Sequence, residues 1–109
     1  MNREIKFRAW KDGEMLHWNR HVKRAFKTLL GNSVLMQYTG LTDKNDREIY
    51  EGDFIKQKLI SDKEKLFTVR FVEGSFVAES LEKMCLLENI NGTTEVVGNK
   101  FQDPKLLEE

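Results

Sequence analysis

Short segments of alternating apolar and polar residues, separated by glycine-containing turns, constrain this fold more than any other feature of the sequence. In residues 5–10, apolar side chains at 5, 7 and 9 alternate with charged ones at 4, 6 and 8, as in a half-buried strand. Residues 11–14 predict a turn in which Gly13 takes positive φ, and residues 15–18 predict the returning strand. The sequence therefore predicts an N-terminal β-hairpin.

A second run of strands is predicted in the middle of the chain. Residues 54–59, 66–72 and 76–79 alternate in the same way, with turns between them, and indicate a three-stranded β-meander. Strands at such short spacing are typical of small barrels and sandwiches. We therefore predict a mainly β fold with short helices, a small barrel-like, SH3-like meander preceded by the hairpin. A chain of 109 residues holds one core, so residues 1–109 are predicted to form a single domain.

The remaining segments give weaker patterns. Residues 19–33 carry apolar side chains at helical spacing and predict an amphipathic helix, although strands joined by an excursion also fit. Residues 34–38 and 94–98 predict strands, residues 39–47 predict an exposed loop, and residues 81–90 fit no single structure. A short final helix is predicted with Asp103 as its N-cap and Pro104 as its first residue.

The net charge is zero but unevenly distributed along the chain. Residues 1–35 hold 8 Lys/Arg against 3 Asp/Glu, which leaves residues 36–109 with 10 against 15. Such a division fits charge complementarity within the chain or between subunits, and it also fits a phosphate backbone. The candidate phosphate ligands are Arg3, Lys6, Arg8, Arg20, Lys23, Arg24 and Lys27. The aromatic candidates for stacking on bases are Trp10, Trp18, Tyr38 and Tyr50.

The composition also indicates a compartment. Cys85 is the only cysteine, no apolar run follows the first residues, and no stretch approaches the roughly 20 apolar residues of a membrane span. We therefore expect a reducing, cytoplasmic setting and no membrane partner.

No constellation of residues predicts catalysis or metal binding. His17 and His21 are four apart, but the hairpin takes His17 out of a helix, and a zinc site would need carboxylates for every other ligand. Cys85 lies in an apolar segment typical of a core, and the sequence contains no phosphate-cradling or nucleophile-elbow motif. We expect no enzyme activity, no cofactor and no metal, and the sequence identifies no small-molecule substrate.

The order of several segments resembles the YopX family of bacteriophage and prophage proteins. The resemblance is carried by residues 3–10, 36–41, 43–45, 48–53, 69–71, 74–76 and 96–99, and by Asp103-Pro104. It implies a β-rich, barrel-like fold and a phage or prophage origin in a bacterial cell, and it transfers no catalytic residue. One departure is Asp46, where the family commonly has glycine, so a different type of turn is expected there.

The family-like block supplies a second candidate surface, for which turn formation and strand entry are the alternative explanation. Its residues are Tyr38, Gly40, Asp43, Lys44, Glu51, Gly52 and Asp53. The function predicted from the whole sequence is a non-enzymatic binding or assembly module that forms a homo-oligomer. The alternatives are a nucleic-acid-binding small barrel and a protein that binds and modulates a host protein.

Overall fold

Nine strands and one short helix make up the described part of the chain. In a computed structural model, the described residues are 6–17, 33–58, 64–81, 83–87 and 93–108. The strands are β1 (Phe7–Lys11), β2 (Glu14–His17), β3 (Val34–Thr42), β4 (Glu48–Tyr50), β5 (Asp53–Lys58), β6 (Glu64–Val72), β7 (Ser75–Glu79), β8 (Met84–Leu86) and β9 (Glu95–Asn99). A 3-10 helix follows at Pro104–Glu108. Strands hold 64% of the described residues, which confirms the mainly β prediction.

The first sheet contains the predicted hairpin. β1 and β2 pair antiparallel, and Asp12 and Gly13 form the two-residue turn between them with φ of 51° and 81°. Positive φ at both positions is the requirement of a type I′ turn, whose twist matches that of the strands. The order of the described strands is β2-β1-β3-β4, so β2 lies at an edge of this sheet among the described residues.

The second sheet contains the predicted meander. β5, β6 and β7 pair antiparallel in sequence order, and the full order is β8-β7-β6-β5-β9. Glu73 and Gly74 turn the chain between β6 and β7 with φ of 48° and 85°. One of the two sheets curves into a half-barrel, in line with the predicted barrel-like character.

Three predictions about individual segments need correction or completion. The predicted loop at residues 39–47 is wrong in its first part, because β3 continues to Thr42 through an irregularity in its pairing with β4. The ambiguous segment at residues 81–90 contains β8. The predicted helix at residues 19–33 lies outside the described residues, apart from Ser33.

The hydrophobic core lies against one face of the second sheet. Its buried side chains are Ile49, Ile55, Phe67, Val69, Ala78, Leu87 and Val96, with Phe76 and Cys85 packed against them. Ile49 comes from β4 of the first sheet, so the core spans both sheets. The position of Cys85 beside this cluster agrees with its predicted structural role. No helix in the described ranges is long and apolar enough to cross a lipid bilayer.

Candidate functional site

A cleft of about 880 Å³ lies between the edge strands of the two sheets. One wall is formed by residues 13–17, which include all of β2, and the other by residues 96–99 of β9. Side chains from the sheets, from the β3–β4 loop and from the turn after β9 complete the lining, among them Arg8, Arg47, Glu48, Tyr50, Asp53, Gln102 and Asp103. The cleft therefore brings ionisable side chains of both sheets together.

At the bottom of the cleft, a buried ion pair joins the first sheet to the second. Arg8 of β1 is 6% exposed and Asp53 of β5 is 2% exposed, and an Nη of Arg8 lies 2.7 Å from Oδ1 of Asp53. The other carboxylate oxygen accepts the backbone N–H of Tyr50 at 2.8 Å. Burial raises the pKa of Asp53 above its ordinary value, and the Arg8 guanidinium opposes that rise. Both carboxylate oxygens of Asp53 thus have partners, whereas the buried Nε of Arg8 has no hydrogen-bond partner among the described residues.

The Tyr50 side chain links this pair to a second one. Its hydroxyl donates a hydrogen bond to Glu48 at 3.2 Å, and Glu48 also forms an ion pair with Lys6. The Arg8 guanidinium lies over the Tyr50 ring, 4.7 Å from the ring centroid. Burial, with the negative charge of Glu48, raises the pKa of Tyr50 to about 12. The phenol therefore stays protonated near neutral pH.

His17 lies at the rim of the same cluster. Its ring meets the edge of Tyr50 at a centroid distance of 6.0 Å. Burial lowers its pKa below the ordinary value, and the nearby Arg8 guanidinium lowers it further. A neutral imidazole is the result near neutral pH. No group of three or more His, Cys, Asp or Glu side chains within the described ranges could hold a metal ion, and His21 lies outside those ranges.

Asp43, from the family-like block, organises the connection between β3 and β4. Its Oδ1 accepts the N–H groups of Asn45 and Arg47 at 2.8 and 2.9 Å, and its Oδ2 accepts that of Val96 on β9 at 2.9 Å. Burial alone would raise the pKa of this carboxyl, but the three N–H groups together bring it below its ordinary value. Because Val96 belongs to the second sheet, Asp43 is a second connection between the sheets.

The rest of the family-like block is divided between interior and surface. Tyr38, Gly52 and Asp53 are buried, as is Asp43, whereas Gly40 and Lys44 are exposed and Glu51 is half-buried. Gly52 has φ of 88°, and a Cβ there would lie 3.0 Å from the sulfur of Met36. The structure therefore favours turn formation and strand entry for most of this block.

The predicted phosphate ligands are placed only in part. Lys6 and Arg8 of the basic first third pair with Glu48 and Asp53 of the acidic remainder, which favours intrachain complementarity for these two cations. Arg3, Arg20, Lys23, Arg24 and Lys27 lie outside the described residues. Among the aromatic candidates, Tyr38 and Tyr50 are buried and Trp18 lies outside the described ranges. Trp10 is half-buried and stacks on Phe101 at 5.6 Å.

Sequence reasoning assigned Asp103 as the N-cap of the final helix but gave its side chain no role at the C-terminal end of the cleft. Oδ2 of Asp103 accepts the N–H of Asn99 at 3.1 Å, so its carboxylate bonds back to β9 where an N-cap to the final helix was predicted. The Asp103 side chain crosses Gly98, where a Cβ would lie 2.6 Å from Oδ2. The sequence feature that could have indicated this contact is that residues 96–99 and Asp103-Pro104 are both among the segments that resemble the family.

The edge strand β8 is the other feature that the sequence left undecided. Met84 and Leu86 are 54% and 41% exposed, and Leu81, just before the strand, is fully exposed. Within the described residues β8 has one strand neighbour, β7. The alternation Met-Cys-Leu, with Cys85 towards the core, was the signal that a strand lies here.

These features define a small antiparallel two-sheet protein whose buried ionisable groups join its sheets. The sequence matches the family described as YopX protein over residues 11–108, and the chain belongs to the YopX family. Two solved structures share the fold. Protein EF1440 from Enterococcus faecalis has a TM-score of 0.70 at 24% identity, covering 97% of this chain and 99% of that one. Protein yopX from Bacillus subtilis has a TM-score of 0.65 at 17% identity, covering 94% and 97%. No curated protein matches the sequence.

Proposed function

We propose that this chain is a non-enzymatic binding and assembly module of a phage or prophage, acting in the bacterial cytoplasm, and that it self-associates through β8. Family membership supports the setting. The observation that carries the assembly function is the exposed apolar edge formed by Leu81, Met84 and Leu86.

Edge strands of soluble proteins are normally protected from pairing by charged residues, proline or a bulge. β8 has none of these in its three residues, and both of its solvent-facing side chains are large and apolar. Antiparallel pairing with β8 of a second copy would place Met84 of one copy opposite Leu86 of the other and cover both. The edge is therefore self-complementary in the order of its side chains and in polarity.

The arrangement of the cleft supports a non-enzymatic function. Arg8 is matched to Asp53 and Lys6 to Glu48, so these charges stabilise each other. Tyr50, with a pKa of about 12, is a poor proton donor near neutral pH. Catalytic sites instead direct ionisable groups towards a point that a substrate can occupy.

Sedimentation velocity on the full chain tests the assembly function. We expect a mass above the 12.8 kDa of one chain, and a shift towards the monomer in a Met84→Lys, Leu86→Lys double variant. Leu107→Lys is the matched control, because Leu107 is also exposed but follows β9 at the opposite edge of the sheet. A monomeric parent at high concentration, or an unchanged mass in the double variant, would contradict assembly through β8.

The nucleic-acid alternative gains nothing from Arg8, because its guanidinium is buried against Asp53. Anisotropy of labelled single- and double-stranded DNA and RNA at several salt concentrations tests it directly. Binding by phosphate contacts requires an affinity that falls log-linearly with salt.

A further inference from the structure

We infer that the cleft binds an extended peptide with basic side chains, which adds as a strand to the outer edge of β2. This site is separate from the β8 edge. Strand addition to an exposed sheet edge is a general mode of peptide recognition, in which backbone hydrogen bonds give affinity and flanking side chains give specificity.

The turn of the N-terminal hairpin determines which backbone groups of β2 face the cleft. Lys11 and Glu14 flank the two-residue turn and pair with each other, so they exchange hydrogen bonds. In an antiparallel ladder such pairs alternate with pairs that do not exchange bonds. The N–H and C=O groups of Met15 and His17 therefore point away from β1. Among the described residues, no backbone hydrogen bond outside the strand ladders involves the N–H or C=O groups of Met15 and His17.

The opposite wall cannot accept a strand in the same way, because its edge groups are already bonded. On β9, the N–H of Val96 donates to Asp43 and that of Asn99 donates to Asp103, while the carbonyl of Val96 accepts from Arg47. The two walls are therefore not equivalent. β2 offers backbone groups, and β9 with the turn after it offers side chains.

The size of the cleft suits an extended peptide. All four residues of β2 line it, which corresponds to about 13 Å of strand. Its volume of about 880 Å³ lies within the range of ligand-binding clefts.

The charge of the lining selects a basic peptide. Four carboxylates line the cleft (Glu14, Glu48, Asp53 and Asp103) against two guanidinium groups (Arg8 and Arg47). Asp53 is matched by Arg8 and Glu48 by Lys6. Glu14 and Asp103 have no ion-pair partner among the described residues, and Arg47 is held by the Val96 carbonyl beside Asp43.

The test is fluorescence anisotropy on the full chain with labelled peptides about eight residues long, long enough to span β2. One peptide alternates threonine and lysine, and its control alternates threonine and glutamate. We expect the lysine peptide to bind at least tenfold more tightly. Glu14→Gln should weaken its binding about threefold and reduce its dependence on salt.

A pair of variants at Met15 isolates the backbone contribution. Met15→Pro removes an N–H that faces the cleft and leaves the β1–β2 ladder intact, so we expect binding to fall at least tenfold. Met15→Ala retains the N–H and should bind within about threefold of the parent. Circular dichroism establishes that both variants are folded.

Three outcomes would overturn the inference. The first is that the lysine peptide does not bind at millimolar concentration, and the second is that the two Met15 variants bind it equally. The third is that a single- or double-stranded oligonucleotide displaces the labelled peptide while unlabelled peptide does not. The β8 double variant should retain peptide binding, and Met15→Pro should retain the parent's sedimentation. The peptide site and the proposed assembly surface can therefore fail independently.

Discussion

Asp46 has φ of 62°, the left-handed conformation that glycine adopts without a steric penalty. A different type of turn was expected because the related family commonly has glycine there, but the backbone keeps positive φ with an aspartate in place. We therefore expect Asp46→Gly to raise the free energy of unfolding by about 0.5–1 kcal/mol, measured by urea denaturation. Asp46→Ala should lower it, and a loss of stability in the glycine variant would contradict the assignment of strain.

In the same loop, the stability that Asp43 contributes depends on the negative charge of its side chain. Asp43→Asn leaves one carbonyl oxygen where two carboxylate oxygens now accept three N–H groups, so we expect a loss of about 2 kcal/mol in urea denaturation at neutral pH. Asp46→Asn is the matched control, because asparagine also tolerates positive φ, and we expect a change within about 0.5 kcal/mol.

The pH dependence of that loss has a defined sign. The folded state lowers the pKa of Asp43 below its unfolded value. Its contribution is therefore fully present above the unfolded pKa and is lost as the pH falls through the folded pKa. The difference in stability between the parent and Asp43→Asn should accordingly shrink below about pH 4. A difference that stays constant through acid denaturation would show that the carboxylate charge is not involved.

At the scale of the strands, position 98 requires glycine because the Asp103 side chain lies against it, and not because of its own φ angle. A Cβ at Gly98 would lie 2.6 Å from Oδ2 and 3.0 Å from Cβ of Asp103, so the short Asp103 side chain must move and release the Asn99 N–H. We expect Gly98→Ala to cost about 1–3 kcal/mol in urea denaturation. In an Asp103→Gly background the same change should cost less by about 1 kcal/mol. Additive losses would contradict this explanation.

The elements divide by how local their sequence signal is. β1, β2 and the β5–β7 meander were predictable because alternation and a glycine turn are both local signals. The extension of β3 was missed because Gly40 and the polar residues around it are typical of a loop. The structure keeps Thr39 in the strand by burying it and bonding its hydroxyl to the Ile49 carbonyl at 2.7 Å. That bond depends on the tertiary pairing with β4.

The candidate site was less predictable for the same physical reason. Arg8 and Asp53 are 45 residues apart, and Asp43 and Val96 are 53 apart, so no periodicity relates them. The sequence singled out Arg8, Asp43 and Asp53, but it could not show that Arg8 meets a carboxylate and not a phosphate. The cleft between β2 and β9 follows from the packing of the two sheets, which a single sequence does not encode locally.

For the whole molecule, the buried Arg8–Asp53 pair is the polar connection on which the packing of the two sheets most depends. Removing one partner leaves an uncompensated buried charge, and we expect Arg8→Met or Asp53→Asn to cost about 3–5 kcal/mol in urea denaturation. The double variant should cost less than the sum of the two by at least about 2 kcal/mol. In a Trp18→Phe background, the fluorescence of Trp10, which stacks on Phe101 beyond β9, reports whether the sheets still pack.

A double-mutant cycle on the exposed Lys44–Glu95 pair is the control for the double-mutant cycle on Arg8 and Asp53. The Lys44–Glu95 pair also connects the β3–β4 loop to β9, with its charged atoms 3.8 Å apart and both side chains nearly half exposed. Solvent screens such a pair, so its coupling energy should stay below about 1 kcal/mol. If the two cycles gave equal coupling, burial would not be the cause of the Arg8–Asp53 energy. The sheets would then be held together by the apolar contacts of Ile49 with the core of the second sheet.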